Sequence, residues 1–97
     1  MVITVLEAEV HPEQVDLLRS TYRNGADRLP PMIAETFLAR DTERPTRWQI
    51  ITMWRSAEEL EEYRRSVDTP GGILTFRAAG AEPTLTRFEV VERLGAP

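Results

Sequence analysis

The sequence predicts an α+β domain with the element order β-α-β-β-α-β. Three observations carry that prediction. Four stretches rich in β-branched and aromatic residues alternate with two stretches whose apolar residues recur at helical spacing. The two middle strands are separated only by "DTERPT", a polar turn of hairpin length, so they pair antiparallel. The second helix opens on "SAEE", in which Ser56 can cap the first turn and Glu59 can reach back to it.

The first strand is "VITVLEAEV" at 2–10. Successive strand residues point to opposite faces. Val2, Thr4, Leu6, Ala8 and Val10 therefore share one largely apolar face, while Ile3, Val5, Glu7 and Glu9 share the other. "HP" at 11–12 ends the strand, and Pro12 suits a first helical turn. Val15, Leu18, Tyr22, Ala26 and Leu29 then recur at helical spacing until Pro30 and Pro31 stop the helix, which Gly25 weakens. The second strand is "MIAETFLAR" (32–40) and the third "RWQIITMW" (47–54). The helix after Ser56 buries Leu60, Tyr63 and Val67, and "DTPGG" breaks it. "ILTFRAAG" is a short further helical piece closed by Gly80, "PTLTRFEVVERL" (83–94) holds the last strand, and 95–97 form a short tail.

This order is the ferredoxin-like pattern, a four-stranded antiparallel sheet with its helices on one face. The 97 residues make a single domain, 1–97. Ile3, Val5, Ile51 and Met53 have the opposite parity to the tryptophans and stay uncovered in a lone subunit. An apolar patch of that kind marks an interface, so a homodimer packed sheet to sheet is expected.

Composition excludes several chemistries. The net charge of −4 argues against a general nucleic-acid partner, which needs a basic surface. All 12 basic residues are arginine, so lysine Schiff-base chemistry is ruled out. There is no cysteine and one histidine, His11, which leaves no disulfide and no multi-histidine metal site within a subunit. No calcium- or magnesium-type ligand loop appears, so no metal is expected. "MVITVLEAEV" has no basic flank and is interrupted by Glu7, so it reads neither as a signal peptide nor as a membrane span, and the cytoplasm is the expected compartment.

With the element order and "MWRSAEELEEYRRS" in view, the chain resembles the antibiotic-biosynthesis-monooxygenase-like family of dimeric α/β barrels over roughly residues 2–93. The best local sign is a third strand that ends in Trp54, followed at once by an acidic helix start with an aromatic at Tyr63. The second is "LTFRAAG", similar to the family's short aromatic-containing helix before the last strand. There are departures. Pro30-Pro31 stands where members often carry Pro-Gly. The haem-degrading branch uses an asparagine on the first strand and a histidine at the end of the short helix, where this chain has Leu6 and Gly80. Haem degradation is therefore not expected, although Trp54 matches that branch's tryptophan.

The resemblance implies a ligand pocket inside each subunit, between helices and sheet. By parity Thr4, Leu6, Thr52 and Trp54 face it from the strands, and Tyr22, Tyr63 and Phe76 face it from the helices. Plain core is the competing role for each of them, and for the two tyrosines the stronger one, since any amphipathic helix fills such positions with something apolar. Trp48 shares Trp54's strand face but stands about 20 Å away, too far to share one aromatic cage. The family's quinone-forming members oxidise aromatic substrates with molecular oxygen and no cofactor, because the deprotonated substrate supplies the electrons. On that reading Tyr63 and Tyr22 donate hydrogen bonds, and Arg87, a charge inside the last strand, stabilises an enolate. An ion pair of Arg87 with Glu89 or Glu7 is the competing role. His11, at the strand-to-helix turn, reads as a cap. Glu7 and Glu35 read as members of a dimer-interface network with Arg55 or Arg87. The resemblance thus implies a cofactor-independent monooxygenase for a small aromatic or quinol-like substrate, with no catalytic base assigned. The alternative is a non-catalytic ligand-binding or stress-related barrel protein.

Overall fold

Four antiparallel strands form one sheet in the order β2-β3-β1-β4, in a computed structural model that describes residues 1–95. The strands are β1 (Val2–Glu9), β2 (Ile33–Arg40), β3 (Arg47–Trp54) and β4 (Thr84–Glu89). Three α-helices, α1 (Val15–Ala26), α2 (Ala57–Ser66) and α3 (Gly71–Ala78), complete the ferredoxin-like α+β fold expected from the pattern. Of the tail expected at 95–97, residues 96 and 97 lie outside the described residues. No helix among the described residues is long and apolar enough to cross a membrane.

Alternation along β1 and β3 sets the two faces. Val2, Thr4, Leu6 and Ala8 of β1 and Trp48, Ile50, Thr52 and Trp54 of β3 are all buried under the helices. Their neighbours Ile3, Val5, Ile51 and Met53 are half-buried on the outer face. Strand pairing adds Phe37 of β2, opposite Ile51, and Phe88 of β4, opposite Ile3, to that outer face. Phe37 is 44% exposed and Phe88 51%, so the outer face carries six large apolar side chains without cover in the subunit.

The joints follow local chemistry. His11 caps the turn after β1, its Nδ1 accepting the Glu13 N–H, and Pro12–Gln14 form one 3₁₀ turn before α1. Helix α1 stops at Ala26, so Leu29 is not part of its stripe but lies just past the turn that follows. In the β2–β3 hairpin, Asp41 Oδ1 accepts from the amides of Glu43 and Arg44, an Asx-type turn. Ser56 Oγ accepts the Glu59 N–H at 3.1 Å, which makes the cap; the reciprocal reach of the Glu59 side chain is not among the bonds formed. Gly80, at φ +74°, closes the turn after α3 in the left-handed region that glycine enters at little cost.

The core beneath the helices is split in two. One part gathers Leu6, Ala8, Val10, Leu18, Trp48, Ile50 and Phe76, with Ala79 and Ala81. The other gathers Val2, Trp54 and Leu60, with Ala57 and Tyr63 packed against them. Between the two runs a polar row. Register places Thr36, Thr52, Thr4 and Arg87 side by side across β2, β3, β1 and β4. The row exists because of an irregularity in β2. Ile33 pairs with Trp54 but Glu35 pairs with Met53, so Ala34 is the extra residue of a bulge. The bulge turns Thr36 under the helices and Glu35 to the outer face.

Several expected charge pairings differ. Glu7 accepts from Gln49 at 2.7 Å and lies 3.9 Å from Arg47, while Glu9 pairs with Arg44. Arg55 donates to the Pro31 carbonyl. Arg87 lies on the helix side of the sheet, so it joins neither Glu7 nor an outer-face network with Glu35.

Candidate functional site

The threonine row is the floor of a cavity of about 710 Å³ between the sheet and the helices. Its size has a local cause. The row replaces bulky apolar side chains by small ones, and the first turn of α3 is Gly71-Gly72, which places no side chain in the gap. A Cβ on Gly72 would stand 2.6 Å from Leu6 Cδ1, so a side chain there would push the Leu6 methyl aside and fill part of the gap. Leu6 and Ile50 bound the space on one side and Trp54 and Leu60 on the other, one pair from each half of the core.

Five of the six residues singled out as ligand contacts border this cavity: Trp54, Tyr63, Tyr22, Thr52 and Arg87. Phe76 does not. It is fully buried in the larger core cluster with Leu18, because the cavity is lined by residues 71–75 of α3 and Phe76 turns away from it. Trp48 likewise lies outside the cavity, in that same cluster, with the Arg40 guanidinium 5.5 Å from its ring centroid. Its buried Nε1 has no hydrogen-bond partner among the described residues. Trp54 and Tyr63 are tilted against each other, their centroids 5.0 Å apart at 42°.

Two of the hydroxyls, those of Thr4 and Tyr63, accept a hydrogen bond from the protein. Trp54 Nε1 donates to Thr4 Oγ1 at 2.9 Å. The Gly71 N–H donates to the Tyr63 oxygen at 2.9 Å. Tyr22 donates to Thr36 Oγ1 at 3.2 Å, and Thr36 and Thr52 share a bond of 3.3 Å. A hydroxyl has one hydrogen to give. With Trp54 and Gly71 supplying their hydrogens, Thr4 and Tyr63 keep theirs for an acceptor in the cavity. If the chain runs from Tyr22 through Thr36, Thr52 does the same. The floor therefore offers donors to a ligand oxygen, and a developing negative charge there is stabilised by them.

The charges at the cavity are of one sign. Arg28, Arg64 and Arg87 line it, and no aspartate, glutamate or histidine does so among the described residues. Arg87 is paired, but with Glu61 of α2, neither Glu89 nor Glu7, its Nη1 standing 2.8 Å from Oε1. That hydrogen bond holds the Glu61 carboxyl below its ordinary range. Leu29, Leu74 and Leu85 border the cavity and are about half exposed, so they stand at its opening. His11 is exposed and occupied as a cap. No group of three or more metal-ligating side chains occurs among the described residues.

Sequence reasoning did not find Thr36, Arg28, Arg64 or the leucines of the opening. Thr36 is hidden by the bulge, which parity counting cannot see. Arg28 follows the end of α1 and Arg64 lies on α2, and only the packing of these helices brings both to one opening.

The sequence model of the family described as antibiotic biosynthesis monooxygenase matches residues 1–79. Comparison with curated proteins finds no match. Solved structures share the fold. An arginine-to-serine mutant of MhuD, with two manganese protoporphyrin IX molecules bound per active site, is similar at TM-score 0.74 and 21% identity, over 99% of this chain and 100% of that one. A mutant of SnoaB, a cofactor-independent oxygenase from Streptomyces nogalater, is similar at 0.72 and 18%, over 98% and 97%. A candidate antibiotic biosynthesis monooxygenase from Deinococcus radiodurans is similar at 0.74 and 16%, over 100% and 99%.

Proposed function

The chain belongs to the antibiotic biosynthesis monooxygenase family, and from that premise we propose that it is a cofactor-independent monooxygenase for a small aromatic or quinol-like substrate. One observation carries the reading: a cavity of about 710 Å³, mostly apolar, lined by Trp54 and by the hydroxyls of Thr4 and Tyr63, each of which accepts one bond from the protein and has its own hydrogen to give. Pockets of this volume suit ligands of several rings. The substrate ring lies against Trp54 and Tyr63. Its oxygen accepts from Thr4, Thr52 or Tyr63, with Tyr22 acting through Thr36 and Arg87 adding positive charge.

No carboxylate or imidazole borders the cavity among the described residues, so the protein's part is to lower the substrate's own pKa. A ring methylene beside a carbonyl or phenol loses a proton to water at the opening. The resulting carbanion gives its electron pair to O₂. One oxygen atom stays as a new carbonyl, and the other leaves as water with the methylene's two hydrogens. The balance needs no further reductant.

The same lack of a base favours the second reading, a non-catalytic binding protein that uses these donors only to hold an aromatic ligand. Oxygen uptake separates the two. Chelator-treated protein with anthrone should consume one O₂ per anthrone well above the protein-free rate and place one labelled atom in the product carbonyl. Saturable binding with uptake at the protein-free rate would establish the binding role instead.

The reading includes a homodimer packed through the outer sheet face. Six apolar side chains on that face, Ile3, Val5, Phe37, Ile51, Met53 and Phe88, support it.

A further inference from the structure

We propose that the ligand of this cavity is an aromatic acid, whose rings enter between sheet and helices and whose carboxylate stays at the opening on Arg64 and Arg87. The inference rests on the cavity being an aromatic-ligand site and goes further by naming the ligand's charge and the side at which it enters.

The first observation is a reversal of sign. The chain as a whole carries −4, yet the cavity is lined by three arginines and by no acidic residue among the described ones. A surface that is acidic overall and basic at one concave site attracts an anion to that site and turns neutral competitors into weaker ligands.

The second observation is the convergence of two guanidiniums. Arg87 reaches from edge strand β4 and Arg64 from α2, on either side of Glu61. Arg87 Nη1 lies 2.8 Å and Arg64 Nη1 3.8 Å from the same atom, Glu61 Oε1. Both arginines line the cavity and Glu61 does not. The carboxylate of Glu61 thus rests on the outer side of a pair whose inner side faces the cavity. Each guanidinium has five N–H donors in a planar fork, and Glu61 takes few of them. A ligand carboxylate on the cavity side finds donors that Glu61 leaves unused. Pairs between exposed charges are weak, so displacing Glu61 from them costs little. Glu61 is a weak competitor for both guanidiniums while the site is empty.

The third observation is the form of the opening. Leu29, Leu74 and Leu85 border the same opening, so a ring system passes over apolar surface while its acid stays behind on the arginines. The hydroxyls of Thr4 and Thr52 lie deeper, buried on the floor, where they meet the ring oxygens. Arg28 makes no ion pair among the described residues and adds to the attraction from the α1 side.

The test compares two ligands of one ring system, 1-hydroxy-2-naphthoate and 1-naphthol, by calorimetric titration of the full chain at neutral pH. The acid is expected to bind about tenfold more tightly or better, with an affinity that falls as salt is raised, while that of the naphthol stays level. Arg64→Gln should weaken the acid about fivefold and move the naphthol by less than twofold. Glu61→Gln, which removes the competing carboxylate, should strengthen the acid alone. Both positions are exposed, and a thermal melt checks that the variants fold. Equal affinity for acid and naphthol, or an acid affinity indifferent to both variants, would overturn the proposal and leave the cavity as a neutral-ligand site. Binding of neither ligand by the unmodified protein would overturn the aromatic site itself, and this inference with it.

Discussion

Replacing Trp54 by phenylalanine tests how one residue serves core and cavity together. Trp54 is only 5% exposed, packs with Val2 and Leu60, and also borders the cavity. Phenylalanine keeps a ring against Tyr63 but has no N–H for Thr4. The lost bond, 2.9 Å in the structure, is worth about 1 kcal/mol net. Thr4 faces the cavity, where water can replace the indole, so no further unsatisfied-group penalty arises. The smaller ring gives up roughly 40 Å² of buried apolar area, another ~1 kcal/mol. The sum of about 2 kcal/mol corresponds to a Tm lower by roughly 8–16 °C in a domain of this size. The protein concentration must be held fixed, since the proposed dimer would itself shift Tm. Affinity for flat aromatic ligands should fall about three- to tenfold, as part of the stacking surface is lost. Trp54→Ala should cost about 3 kcal/mol, the low end for a buried tryptophan, because one side of the indole already faces open space. Trp54→Phe with an unchanged Tm would show that the indole is not packed as described. An unchanged ligand affinity would return Trp54 to the core alone.

Met53→Glu places a carboxylate in the middle of the outer face, where a partnerless desolvated charge is costly; sedimentation should change from about twice the 11.1 kDa chain mass to a single chain. A single-chain mass for the unmodified protein at micromolar concentration would refute the sheet-to-sheet dimer. Tyr63→Phe keeps the tilted contact with Trp54 and removes both the acceptor of the Gly71 N–H and a donor to the ligand. It should lower stability by about 1 kcal/mol and slow oxygen uptake by about tenfold or more; uptake at the full rate would remove Tyr63 from the oxyanion donors. Haemin with reductant should show no decay of the Soret band, because the haem-degrading branch's asparagine and histidine are Leu6 and Gly80 here and no imidazole borders the cavity. Decay of that band would contradict the correspondence.

Much of the fold was legible because period and punctuation agree. β3 runs over 47–54 as read, the cap falls on Ser56, and the order of strands and helices follows from the spacing of apolar residues. The faces of β1 and β3 were legible too, since strict alternation leaves one assignment. What was not legible depended on tertiary geometry. The bulge at Ala34 changes the parity of β2 and brings Thr36 into the floor. Arg87 could be assigned to an edge strand, but its partner Glu61 lies 26 residues away on a helix. Phe76 looked like a cavity residue because aromatics near a pocket are hard to tell from aromatics behind it, and helix rotation decides. The volume of the cavity itself depends on how near α3 comes to β1, which Gly72 permits but does not announce.

The most direct measurement of the cavity as an aromatic-ligand site uses Trp54 as its own reporter. Trp48→Phe leaves Trp54 as the only indole, and Trp48 Nε1 has no hydrogen-bond partner to lose among the described residues. Titration with 1,4-naphthoquinone should then quench Trp54 fluorescence saturably, at one ligand per chain, and Trp54→Phe protein should show no such saturable quenching of Trp48. Linear, non-saturating quenching of Trp54, equal to that of free tryptophan, would contradict the site.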